Sequence, residues 1–347
     1  MMKNKNPGAG FRPLILLSAL LVLAGTFLFT GSTGPVVPPE GYRVIGYAPE
    51  WVGLTALAAR TDFSLFTHVN VAFGNPDYAG RFHPLPGEAG FIHRAHKAGV
   101  KVYYSIGGGW FSYVPEGQAV WFRFMSDSRR KEFVEGLVEY VIAAGYDGID
   151  VDLEGDVINA DYPAFIMTLY GRLQAVRTRA GEVPGLTAAL PGHEIDSDIT
   201  PAVLACFDWI NIMAYDLTGP WDPGTPGPHS PYEYAASSLE LFRSRGLGPE
   251  RLVLGIPLYG YGFGPGCSDE EYPWKKIIAA WPGGFDQDTV SINNRGGVLY
   301  YNGMDTIRKK SLLAARESSG IMFWQIDSDV KGDRSLIRCA VETLSSR

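Results

Sequence analysis

Cysteine and positive charge are both in short supply in this chain, and each shortage narrows what it does. Only Cys206, Cys267 and Cys339 occur in 347 residues, with no CxxC pair and no Cys/His spacing of a zinc site. One disulfide with a free thiol and three free thiols are both compatible with that count; the expected role is that of a small buried hydrophobe. Lysine and arginine total 30 against 37 aspartates and glutamates, a net charge of -7. That balance argues against a nucleic-acid partner, which would call for a basic patch. No Gly-rich phosphate fingerprint follows the first expected strand, so a dinucleotide-binding open sheet lacks its main signal. No repeat of solenoid period occurs.

The N-terminal apolar run, residues 14–29, is shorter than the roughly 20 residues of a comfortable membrane span. Lys3, Lys5 and Arg12 flank it on one side and Gly31, Ser32, Thr33 and Gly34 on the other, the order of a secretory signal. Residues 1–33 are expected to be a signal peptide or an uncleaved anchor, the one expected membrane contact. Thr26 stands where a lipoprotein signal would carry its cysteine, so no lipidation is expected. The Pro-rich stretch 34–41 reads as a linker, and 42–347 as one folded domain exported from the cytoplasm.

Within that domain, β-branched or aromatic runs alternate with helical patterns. Strands are expected at 43–47, 66–73, 101–106, 146–154, 185–190, 209–215, 252–257 and 320–324. Helices are expected at 128–144, stopped by Gly145; at 162–180, behind an Asp161 N-cap and stopped by Gly181; and at 304–317. Eight strands interleaved with helices point to an α/β fold, a closed (β/α)8 TIM barrel. In such a barrel the chemistry sits at the C-terminal strand ends.

The fourth strand carries the strongest signal. Its sequence Tyr-Asp-Gly-Ile-Asp-Val-Asp-Leu-Glu puts Asp150, Asp152 and Glu154 at alternate positions, on one face, with Ile149, Val151 and Leu153 on the other. Three acids on one face cannot all ionise in a poorly solvated site, so at least one stays protonated, as a general acid must be. Taken alone, the stretch is equally open to a solvated outer face or a hard-cation site. Depth along a barrel strand favours catalysis: Glu154 lies nearest the cleft, Asp152 one layer below, Asp150 deeper.

Five motifs then fall in order along the chain. Asp147, Asp150, Asp152 and Glu154 form a D-x-x-D-x-D-x-E pattern that resembles the signature of glycoside hydrolase family 18, the chitinase family. Ser105-Ile106-Gly107-Gly108 is similar to its S-x-G-G motif. Met213-Ala214-Tyr215-Asp216, Gly255-Ile256-Pro257-Leu258-Tyr259-Gly260 and Gly320-Ile321-Met322-Phe323-Trp324 resemble its sixth, seventh and last strand ends. The resemblance implies retaining hydrolysis of β-1,4-linked N-acetylglucosamine, with the substrate's own 2-acetamido oxygen as nucleophile.

The same resemblance distributes roles. Glu154 would be the acid and later the base; Asp152 would orient the acetamido N–H; Asp150 would share a proton or hydrogen bond with Asp152. Tyr215 would bind the acetamido group, with Asp216 and Met213 at the same subsite and Trp324 as the floor. Tyr47, Trp51, Phe73, Trp110 and Trp221 are further candidates to stack sugars; the Gly107-Gly108 turn reads as structural.

No metal and no cofactor are expected; the partner is chitin or an N-acetylglucosamine oligosaccharide, cleaved in endo fashion. The interval before the last strand leaves little room for a full insertion domain, so a shallow cleft is expected. Gly155 and Asp156 follow Glu154 where many chitinases carry Tyr-Pro. That departure leaves N-glycan cores or peptidoglycan fragments as alternative substrates. A chitin-binding lectin is a third reading, disfavoured by the presence of Glu154.

Overall fold

The structure, a computed structural model, describes residues 36–268, 270–292 and 296–346. The expected signal or anchor segment, and the first two residues of the expected linker, lie outside the described residues.

Eight parallel strands close into a barrel: β1 (Arg43–Pro49), β2 (His68–Ala72), β3 (Lys101–Gly107), β4 (Gly148–Asp152), β5 (Gly185–Pro191), β6 (Trp209–Met213), β7 (Leu252–Pro257) and β12 (Gly320–Trp324). Neighbours follow chain order around the ring, and β12 joins β7 to β1. Between β7 and β12 the chain makes a small antiparallel sheet from β8 (Tyr259–Phe263), β9 (Tyr272–Pro273), β10 (Thr289–Ile292) and β11 (Gly297–Tyr300), in the order β10-β11-β8-β9. The sheet, the helix Trp274–Ala280 and the helix Met304–Glu317 fill the interval before the last strand.

Two apolar clusters follow from the period of two in each strand. Outward residues such as Ile149, Val151 and Leu153 pack beneath the helices. Inward residues such as Tyr47, Tyr103, Trp209 and Met322 fill the barrel. Strands covered on both faces are buried throughout, as in β4. Cys339 is buried, Cys206 and Cys267 are half-buried, and all three are free thiols.

Some boundaries differ from the sequence reading. The helix after β4 spans Tyr162–Gln174, six residues short of the expected end, and Asp161 makes no side-chain cap. Arg177 donates to the carbonyl of Gln174, and a turn closes from Gly181 N–H to Thr178 oxygen, so the last carbonyls find partners outside a helix. The helix Asp127–Ala144 ends as expected, with Gly145 left-handed at φ 98° and its N–H on Val141 oxygen. β4 stops at Asp152, two residues before Glu154. The backbone at Glu154 is still extended (φ -130°, ψ 157°), so the alternation carries past the last ladder pair.

Candidate active site

The C-terminal rim of the barrel surrounds a cleft of about 760 Å³. Asp152, Glu154, Met213, Tyr215, Asp216, Phe73, Trp110 and Trp324, all singled out from the sequence, line it together. Trp51 lines it too, whereas Trp221 stands outside it, 60% exposed, with its ring edge-on to Tyr261.

Tyr47 is the clear exception. The sequence made it a sugar-stacking candidate; the structure buries it at 1% exposure inside β1, under Trp324 at 5.4 Å between ring centroids. β1 runs two residues further than expected, which moves Tyr47 down into the barrel. Its hydroxyl donates to Asp150 Oδ2 at 2.6 Å.

That bond belongs to a closed set. Asp150 Oδ2 also accepts from Ser105 Oγ (2.8 Å), while Oδ1 accepts from Thr187 Oγ1 (2.6 Å) and Asn211 Nδ2 (3.1 Å). Four donors fill the carboxylate's usual acceptor positions. Burial raises the Asp150 pKa, and the four bonds pull against that rise. The hydrogen bond expected between Asp150 and Asp152 is not formed, because donors from β1, β3, β5 and β6 occupy both Asp150 oxygens. Ser105, Thr187 and Asn211 were not singled out as site residues, yet each follows or precedes an apolar inward neighbour: Tyr103, Ala189 and Trp209. Asp147, the first acid of the motif, is structural: it accepts from Val102 N–H at 2.7 Å and meets His96 at 2.8 Å.

One layer higher the situation reverses. Asp152 is 3% exposed, and its Oδ1 is buried with no protein partner. Burial first, then the charges of Glu154 and Asp150, hold its pKa well above the usual carboxylate range. Glu154 is pushed up to about 7, first by removal from water and second by Asp216. The two neighbouring acids therefore keep at least one proton between them near neutral pH. The Tyr215 phenol, raised well above 10 by burial and by the same acids, remains a donor.

Close backbone approaches hold these acids in place. Gly107, at φ 102°, would bring a Cβ within 2.2 Å of the Asp152 carbonyl oxygen, and Gly108, at φ 84°, within 2.4 Å of the Phe73 ring. Only glycine fits both. Asn75 clamps the turn, accepting from Gly107 N–H at 2.9 Å and donating to Gly107 oxygen at 2.8 Å. Ser112 Oγ accepts the Glu154 N–H at 3.2 Å.

Trp324 forms a floor whose ring lies 5.6 Å from Phe73, the two planes 25° apart; Trp51 continues the surface at 6.4 Å from Phe73. Trp110 also lines the cleft and is 78% exposed. The space over Gly155 is not empty: a Cβ there would meet the Tyr113 ring at 2.6 Å, so an aromatic from a different segment walls that side.

Glu50 and Glu271 also line the cleft and were not anticipated. Desolvation and then Asp216 raise Glu271 to about 7. The cleft thus carries five carboxyl groups and, among the described residues, no lysine, arginine or histidine lines it.

Relatives share this arrangement of elements. The crystal structure of a GH18 chitinase from the chitin utilization locus of Flavobacterium johnsoniae superposes with a TM-score of 0.79 at 31% identity, covering 88% of this chain and 94% of that one. The GH18 chitinase of Cycas revoluta, in complex with (GlcNAc)3, has the same fold at a TM-score of 0.74 and 23% identity, over 87% of this chain and 99% of that one. A chitinase-like effector of Moniliophthora roreri is 27% identical over 280 residues, which is 72% of this chain and 65% of the effector's length. The family model described as glycosyl hydrolases family 18 matches residues 43–329, so this chain belongs to that family.

Proposed function

We propose that the protein is a retaining chitinase that cleaves internal β-1,4 bonds of N-acetylglucosamine polymers with the help of the substrate's own acetamido group. The observation that carries the reading is the pairing of a half-buried Glu154, its pKa pushed up to about 7, with a buried Asp152 whose Oδ1 lacks a donor. A 2-acetamido N–H supplies that donor.

Glu154 gives its proton to the glycosidic oxygen as the C1–O bond breaks. The acetamido carbonyl oxygen, held by Tyr215 and turned inward by Asp152, closes on C1. Tethering makes this attack intramolecular and removes much of its entropic cost. Asp152 offsets the positive charge that develops on the acetamido nitrogen. Glu154, now ionised, takes a proton from water as the water opens the ring intermediate and restores the β-anomer. Trp324 supports the apolar face of the sugar at the reacting position.

The five carboxyl groups in the cleft disfavour an anionic substrate such as a peptidoglycan fragment. An N-glycan core is the alternative substrate, and the Tyr113 ring beside Gly155 stands where many chitinases carry Tyr-Pro. Product sizing on N-acetylglucosamine hexamer beside an N-glycoprotein tests the substrate: short oligomers from the hexamer are expected. Glycan release without hexamer cleavage would overturn it. Export through residues 1–33 belongs to the same proposal, and recovery of the full chain only from the cytosol would contradict it.

A further inference from the structure

His229 lies in the loop between β6 and the helix Tyr232–Ser244, outside the cleft lining, and its side chain is buried. Its Nε2 faces the carbonyl oxygen of Tyr259 at 3.2 Å, and its Nδ1 faces Asp216 Oδ1 at 3.3 Å. Both partners are acceptors. A neutral imidazole has one donor and one lone pair, so either tautomer sets a lone pair against one acceptor, the Asp216 carboxylate or the Tyr259 carbonyl. A ring protonated on both nitrogens satisfies both contacts.

The surroundings hold this pair in register. Asp216 sits in the left-handed region at φ 62°, unusual for a residue other than glycine. That conformation turns its carboxylate back toward His229 and toward the Tyr259 hydroxyl, which donates to the same Oδ1 at 2.5 Å. The rings of Tyr259 and Tyr261 flank the imidazole at 4.9 and 5.1 Å. Next along the chain, Ser230 is gripped by buried Lys310, whose Nζ donates to Ser230 oxygen and Oγ at 2.6 Å and to Asn302 Oδ1 at 2.7 Å. Ser230 Oγ in turn donates to Ala214 oxygen at 2.6 Å. Charged or titratable groups around the pair are Tyr259, Tyr261, Tyr215, Tyr234, Glu154, Glu271 and, one residue away, Lys310. Asp216 also raises Glu154, after burial as the larger cause, while Asp152 and Glu154 act on one another.

We propose that His229 is a positioning residue: as an imidazolium it pairs with Asp216, fixes that carboxylate ionised on the cleft wall, and through it sets the pH at which Glu154 gives up its proton. The kinetic consequence rests on the hydrolytic reading of the site; the protonation state does not.

Nitrogen-15 NMR of the imidazole side chains in the intact wild-type protein reads that state directly. Both His229 nitrogens bearing protons at pH 6 is the expected result, and a neutral ring of either tautomer at that pH would overturn the proposal. His229→Gln, which cannot carry the charge, should move the alkaline limb of the pH–rate profile upward by about half a unit or more, because Asp216 is then uncompensated. In an Asp216→Asn background the same change should leave the limb in place. A limb that stays put in His229→Gln, or that moves equally in both backgrounds, would mean that His229 acts by filling space alone. If the variant does not fold, the NMR result on the wild type decides.

Discussion

Glu154→Gln should lower kcat on N-acetylglucosamine oligomers roughly a thousand-fold, while affinity for the oligomer changes little. General acid catalysis contributes about 10²–10⁴-fold, and the amide keeps the shape of the side chain but has no proton of suitable acidity to give. In the wild type the acid is active in its protonated form. With Glu154 pushed up to about 7, the rate should hold below that pH and fall as pH rises through it. Steady-state kinetics of the variant, with binding measured separately by tryptophan fluorescence, checks the first expectation; Trp324 and Trp110 both line the cleft. Turnover within tenfold of wild type would remove Glu154 from the acid role.

Asp150→Ala and Asp152→Ala should move stability in opposite directions although the two residues are neighbours on the same strand face. Removing Asp150 strips the acceptor from Tyr47, Ser105, Thr187 and Asn211 inside the barrel. Each orphaned donor costs about 1–3 kcal/mol, partly offset by relief from burying a charge. A net loss of about 3 kcal/mol lowers Tm by roughly 5 °C or more in a domain of this size. Asp152 is the contrary case: a buried acid with an unpartnered oxygen, beside two like charges. Its removal should leave Tm unchanged or raise it while activity collapses, the usual signature of a group kept for function at the expense of stability. Thermal melts of both variants beside wild type read the contrast. Equal losses of Tm would show that both acids are merely structural.

The difference between those two acids marks the limit of what the sequence could show. The period of two along the acidic strand was enough to put Asp150, Asp152 and Glu154 on one face and to rank them by depth. Their neighbours were not legible, because Ser105, Thr187 and Asn211 lie 37 to 61 residues from Asp150 along the chain and meet it only once the barrel closes. A polar residue beside an apolar inward neighbour is a faint signal before the register is known. Tyr47 was misplaced for a related reason: with β1 cut short, its parity aimed it at the cleft, whereas the full strand sets its hydroxyl against Asp150.

The barrel itself was legible from strand–helix alternation, but the small sheet between β7 and β12 was not. Its strands are two to five residues long and carry no sustained alternation, so their pairing comes from tertiary contact. Glu271 arrives at the cleft immediately before β9 of that sheet, and nothing local distinguishes it from Glu270 beside it. His229 was likewise invisible, since its role depends on a carboxylate 13 residues away in the left-handed region.

Substrate assistance is tested most directly by giving the enzyme two pentamers that differ only at nitrogen: one fully N-acetylated, the other fully N-deacetylated. Initial rates and product anomers are then followed by proton NMR. Cleavage of the acetylated pentamer with the β-anomer formed first, and no measurable cleavage of the deacetylated one, is expected when the acetamido oxygen is the nucleophile. Comparable rates on both, or α-anomer formed first, would contradict it.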